Sequence, residues 1–141
     1  MRCTIYSNAP GSIIDPKQAM PYAKQAQSLG EMLRIASAAR GDATACMVPT
    51  KQGYVATSYR EYWNRVRGFA AALQALGAGR GDRVVIFSEN CVEWAWSDWA
   101  LQTLGAVTVP IYPTLPPDQA QYIVGDAGAK LVLAGSDELA G

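Results

Sequence analysis

The chain has 141 residues, half of them hydrophobic and 17% charged, a balance too apolar for a disordered tail and sufficient for one globular core. Twelve basic residues offset twelve acidic ones, so the overall charge carries no footprint for nucleic acid or an acidic membrane. Histidine is absent, and Cys3, Cys46 and Cys91 lack any CxxC spacing, which excludes a metal enzyme or a Ser-His hydrolase complete within this chain.

Three cysteines in a chain rich in regular structure do not make a secreted disulfide framework. The opening residues MRCTIYSNAP lack the apolar stretch of a signal peptide. The longest uncharged stretch, Trp99 to Pro117, is broken by Gln102, Gly105 and four prolines, so no transmembrane segment is expected. The expected location is cytoplasmic.

Residues 1–27 show no sustained period and read as an amino-terminal arm; residues 28–141 read as an α/β subdomain. Ser28 is placed as a helix cap, with Glu31 completing a capping box, and Leu29, Met32, Leu33 and Ala36 follow an amphipathic stripe ending near Gly41. Thr44 to Val48 and Tyr54 to Thr57 flank a polar turn at Gln52-Gly53 and predict a hairpin. Ser58 caps a second helix with Glu61, and Tyr59, Tyr62, Trp63, Val66, Phe69, Ala70 and Leu73 form its apolar face up to Gly77.

Val84 to Phe87 is a continuous apolar run of the kind buried on both faces of a parallel sheet. Asn90 with Glu93 is expected to cap a third helix reaching to about Gly105. The run Ala106 to Ile111 follows, then a helix over about Pro116 to Ala127 and the run Leu131 to Ala134. The β-α-β-α-β order predicts an α/β class with a partial parallel sheet, flanking helices and right-handed crossovers. The chain stops shortly after the last run, where another crossover helix should begin, which reads as truncation.

Several stretches invite a functional reading. Gly77-Ala-Gly79-Arg-Gly81-Asp82 looks like a phosphate loop, but it leaves a helix and enters a strand, so a helix-stop turn is the preferred reading. The Arg-Gly-Asp triplets at 40–42 and 80–82 sit at helix-to-strand junctions and read as coincidence. Asn90 fits either a cap or a ligand-facing position beyond a strand. Trp96 and Trp99 share a helix face with Trp94 nearly opposite, which favours two-sided packing over an aromatic platform. Tyr112, Pro113 and Thr114 lie beyond the carboxyl end of the second parallel strand, the expected substrate edge, although Thr114 serves equally as a cap before Pro116.

Taken in order, Ser58-Tyr-Arg-Glu-Tyr-Trp63, Leu73-Gln-Ala-Leu-Gly77, Gly81-Asp82-Arg-Val84, Asn90 to Trp94 and Gly105-Ala-Val-Thr-Val-Pro110 resemble the start of the acyl-adenylate-forming superfamily. Tyr112-Pro-Thr114, Ala129-Lys130, Leu131-Val-Leu133 and Ser136-Asp-Glu138 continue the resemblance, which runs from about Ser28 to Glu138. Glu93-Trp94 and Tyr112-Pro-Thr114 look most like the long-chain fatty acyl-CoA synthetase branch.

The resemblance implies a parent that uses ATP, Mg²⁺ and CoA to activate a carboxylate through an acyl-adenylate. The segments that perform this in the family, a Ser/Thr/Gly-rich loop followed by Pro-Lys-Gly, a Tyr-Gly-x-Thr-Glu segment and a mobile carboxyl-terminal domain, do not occur in these residues. No catalytic, cofactor-binding or metal residue is therefore assigned, and the implied partner is the remainder of the parent chain. A free-standing α/β binding module, or a dimerisation domain using the arm, stands as the alternative.

Overall fold

The computed structural model describes Tyr22 and residues 25–140, so most of the arm assigned to residues 1–27 lies outside the described residues. Helix α1 spans Leu29–Arg40 behind the cap Ser28, whose Oγ accepts from the Glu31 amide at 3.2 Å. The reciprocal half of the expected box is displaced by one residue. Glu31 Oε2 accepts from the Gln27 amide at 2.9 Å instead of from Ser28.

Strands β1 (Thr44–Thr50) and β2 (Gly53–Ser58) form the expected antiparallel hairpin, with Thr50 Oγ1 donating to the Gly53 carbonyl at 2.7 Å across the turn. Ser58 then opens α2 (Tyr59–Ala75) with a complete capping box, in which Glu61 Oε2 also accepts the Ser58 amide at 3.0 Å. Tyr62, Val66, Ala70 and Leu73 form the buried stripe of α2, spaced to stay on one helix face.

The remaining elements are β3 (Arg83–Phe87), α3 (Val92–Leu104), β4 (Val107–Ile111), α4 (Pro117–Asp126), β5 (Leu131–Ala134) and the short α5 (Asp137–Ala140). The three strands are parallel in the order β4-β3-β5, with β3 in the centre. Val84, Val85 and Ile86 of β3 are at most 2% exposed, as expected for a strand covered on both faces. Val84 and Ile86 belong to a large core with α1, α2 and α3, whereas Val85 packs with Ile111 and Ala120 on the α4 side. The crossover from β3 to β4 therefore runs over one face and that from β4 to β5 over the other.

The three helices that feed the parallel sheet end alike. The alanine amide bonds to the carbonyl five residues back in each: Ala78 to Leu73 at 2.9 Å, Ala106 to Leu101 at 2.9 Å and Ala129 to Val124 at 3.1 Å. The preceding glycines, Gly77, Gly105 and Gly128, bond three residues back, and Gly105 adopts φ 70°, the left-handed region that side chains disfavour.

Two expected caps are corrected. Helix α3 is capped by Cys91, not Asn90: helical geometry starts at Val92, so the side chain three residues before the Trp94 amide is Cys91 Sγ, which accepts from it at 3.4 Å. Asn90 stands one residue outside, exposed. Spacing thus overrides the preference for asparagine. Helix α4 starts at Pro117 behind Pro116 with no side-chain cap, leaving Thr114 two residues before the cap position. A proline at the first helical position has no N–H to satisfy, so a capping side chain is less needed there. The indoles show the two-sided packing expected of a sandwiched helix. Trp94, Trp96 and Trp99 all pack against the same core, because α3 is flanked by α1, α2 and the sheet.

Candidate functional site

The carboxyl end of the parallel sheet presents three loops. Because β5 pairs directly with β3, the loops that follow these two strands lie side by side at this edge. Open α/β sheets place their ligands beyond the carboxyl ends of their strands. A cleft of about 640 Å³ opens there.

Its walls come from Ile86 and Ser88 at the end of β3, Cys91, Glu93, Trp94 and Ser97 of α3 and its cap, and Phe69 of α2; the β5 side is the segment 132–135. The lining is mostly apolar, with Ser88, Glu93 and Ser97 as polar side chains. Ser88 Oγ donates to the Glu89 carbonyl at 3.0 Å and lies 3.9 Å from Cys91 Sγ. Gly135 closes the other side, and a Cβ there would collide with the Ser88 side chain. The end of β5 thus approaches the β3 loop as closely as a glycine permits.

The carboxyl groups held below their ordinary range belong to structural contacts: Asp42 with the Arg60 guanidinium, Glu61 with the Ser58 cap, and Asp82 with Lys130. Among the described residues no group of His, Cys, Asp and Glu is arranged to hold a metal ion. The glycine-rich turn also fits no phosphate. The amides of Gly77, Ala78, Gly81 and Asp82 bond to backbone carbonyls, and that of Gly79 bonds to Asp82 Oδ2 at 2.9 Å. With five of the six amides of 77–82 engaged internally, the turn has no set of amides to cradle an anion.

Tyr112, Pro113 and Thr114 lie on the same carboxyl edge beyond β4, outside the lining of the cleft. Tyr112 is 77% exposed, and its carbonyl accepts the Leu115 amide at 3.0 Å. Ser88, Cys91, Trp94 and Gly135 were not singled out as cleft residues from the sequence, since only the strand order brings β5 beside β3. The one available signal was that Asn90 and Cys91 follow a strand end.

The strand order with crossovers on opposite faces defines a partial, doubly wound α/β unit. Residues 33–140 match the family model described as AMP-binding enzyme, and the chain belongs to that family. Among curated relatives, long-chain-fatty-acid–CoA ligase FadD15 of Mycobacterium bovis is 45% identical over 74 residues, covering 52% of this chain and 12% of that protein. 4-Coumarate–CoA ligase 2 of Oryza sativa is 37% identical over 91 residues, covering 64% of this chain and 16% of that protein. Among solved structures, the N-terminal domain of FACL13 from Mycobacterium tuberculosis superposes with a TM-score of 0.74 at 30% identity, covering 80% of this chain and 28% of that one. The chain thus spans a small part of the length of these relatives. Among the described residues, no helix is long and apolar enough to cross a membrane.

Proposed function

We propose that this chain forms the amino-terminal α/β subdomain of an AMP-forming fatty acyl-CoA ligase and does not adenylate a carboxylate by itself. The observation that carries this reading is the similarity to FadD15 and to the FACL13 N-terminal domain, joined to a family match over residues 33–140. Adenylation needs amides and cations gathered around the ATP phosphates. Five of the six amides in the glycine-rich turn are engaged internally, which supports assigning ATP, Mg²⁺ and CoA to the remainder of the parent chain. Tyr112, Pro113 and Thr114 are the residues of this subdomain that face that remainder at the substrate edge. The parent works in the cytoplasm.

ATP-pyrophosphate exchange with a series of fatty acids tests the reading. The isolated chain is expected to give no exchange above a no-enzyme control. Exchange that survives further purification would show that the chain carries its own adenylation machinery.

A further inference from the structure

A second concavity, of about 540 Å³, lies between α1 and α2 and shares no residue with the cleft at the sheet. Arg34, Ser37 and Ala38 of α1 face Arg60, Trp63, Asn64 and Arg67 of α2, at spacings that keep each set on one helix face. No acidic side chain lines this groove. Arg60 is held by Asp42 at 3.0 and 3.3 Å, and Arg34 lies 3.6 Å from Glu31; both carboxylates stand outside the lining.

The other donors are unengaged. Arg67 and Asn64 make no hydrogen bond or ion pair among the described residues. Ser37 is 5% exposed, and its buried Oγ also finds no partner among the described residues. Burying a hydroxyl without a partner is unfavourable, so this serine is an independent sign that something polar is missing from the groove. A guanidinium offers paired donors that match a phosphate, and Trp63 adds a flat apolar wall beside them.

We propose that the groove between α1 and α2 binds a small phosphate monoester, its phosphate held by Arg67 and Asn64 with Arg34 and Arg60 in support and its organic part against Trp63. The site lies apart from the substrate edge and does not depend on the ligase reading.

The test follows the Asn64 side-chain amide resonances of the full chain during titration with inorganic phosphate and with phenyl phosphate at constant ionic strength. Both probes are expected to give saturable shifts, with phenyl phosphate binding more tightly. Arg67→Ala should weaken both by about tenfold or more, the scale of a lost charge-assisted hydrogen bond. Trp63→Ala should bring phenyl phosphate down to the affinity of inorganic phosphate. Arg65, which stacks on Trp96 at 5.7 Å and does not line the groove, serves as the control, and Arg65→Ala should bind both probes as the parent does. The proposal fails if neither probe saturates, if phenyl phosphate binds no more tightly than inorganic phosphate, or if Arg65→Ala weakens binding as much as Arg67→Ala. Circular dichroism of each variant verifies that it is folded, and Arg67→Lys, which keeps the charge, should retain part of the binding.

Discussion

Lys130 Nζ lies 2.8 Å from Asp82 Oδ2, joining the residue before β5 to the turn that enters β3. The same oxygen accepts the Gly79 amide at 2.9 Å, so one carboxylate ties a strand entry to the turn preceding it. The Lys130 ammonium, and after it the Gly79 amide, hold the Asp82 carboxyl below its usual range. The unfolded chain therefore binds this proton more readily than the folded one, and the contribution of Asp82 is present above the ordinary carboxylate pKa and lost as pH falls through the depressed value. Thermal melts from neutral to acidic pH should show Asp82→Asn less stable than the parent near neutrality, with the difference closing in acid. A difference independent of pH would mean that the charge contributes nothing.

Tyr62 shifts in the opposite direction. Its phenol is 8% exposed, edge-on to Trp96 at a ring separation of 6.5 Å, and burial, aided by Cys46 and Asp98, pushes its pKa up to about 12 from 10.0. Folding favours the neutral phenol, so this contribution is complete below the unfolded pKa of 10.0 and is lost as pH rises toward about 12. Tyrosinate absorbance of the folded chain should show one late phenol that disappears in Tyr62→Phe. Its persistence in that variant would place the late titration elsewhere.

Glycine substitutions give opposite signs at two helical positions. Alanine ordinarily stabilises a helix interior by about 1 kcal/mol relative to glycine. At Gly68 of α2 a Cβ would meet nothing within 4 Å, and Gly68→Ala should raise the denaturation midpoint. At Gly30 of α1 the Cβ would stand 2.6 Å from the Thr103 Cα of α3. Backbone cannot yield as a side-chain tip can, so Gly30→Ala should be destabilising, by about 1–3 kcal/mol as overpacked cores are. Urea unfolding of the two variants side by side measures both signs.

Self-association is expected from the sheet edges. Among the described residues the outer edges of β4 and β5 carry no neighbouring strand, and Val107 and Val132 are 49% and 46% exposed. Unpaired edges with apolar side chains recruit further strands. Sedimentation velocity over a dilution series is expected to reveal a dimer or larger species of the isolated chain at micromolar concentration, weakened by Val132→Lys. A strictly monomeric parent chain would contradict this.

Features encoded by near neighbours were legible in the sequence. Ser58 and Glu61 announce their capping box because both partners lie within one turn, and the hairpin is announced by its own turn. Asn90 misled because asparagine is the better cap in general, while the start of α3 is set by how the chain leaves β3 and falls to the thiol of Cys91. The three indoles were legible as packing residues because rings on opposite sides of one helix need cover on both, which α1, α2 and the sheet supply. Strand order was illegible for a deeper reason. Nothing local to Leu131 to Ala134 says whether that run pairs with β3 or β4, and on this choice rests the position of the cleft that joins Ser88 to Gly135.

The Gly-Ala helix stops divide labour between the two ends of the sheet. Each halts its helix a few residues before a strand, and the entries are then pinned to one another: Gly81 donates to the Gly105 carbonyl at 2.9 Å, Val107 to that of Asp82 at 2.8 Å and Lys130 to that of Arg83 at 2.8 Å. At this end a residue added or lost would slip a strand and turn its buried side chains to the wrong face. At the opposite end the connections 88–91 and 112–116 run from strand to helix over the surface, where length is cheap to change. The fold thus keeps a fixed datum at one rim and leaves the other free to be rewritten, so relatives sharing this framework can diversify what they recognise without renegotiating how they fold.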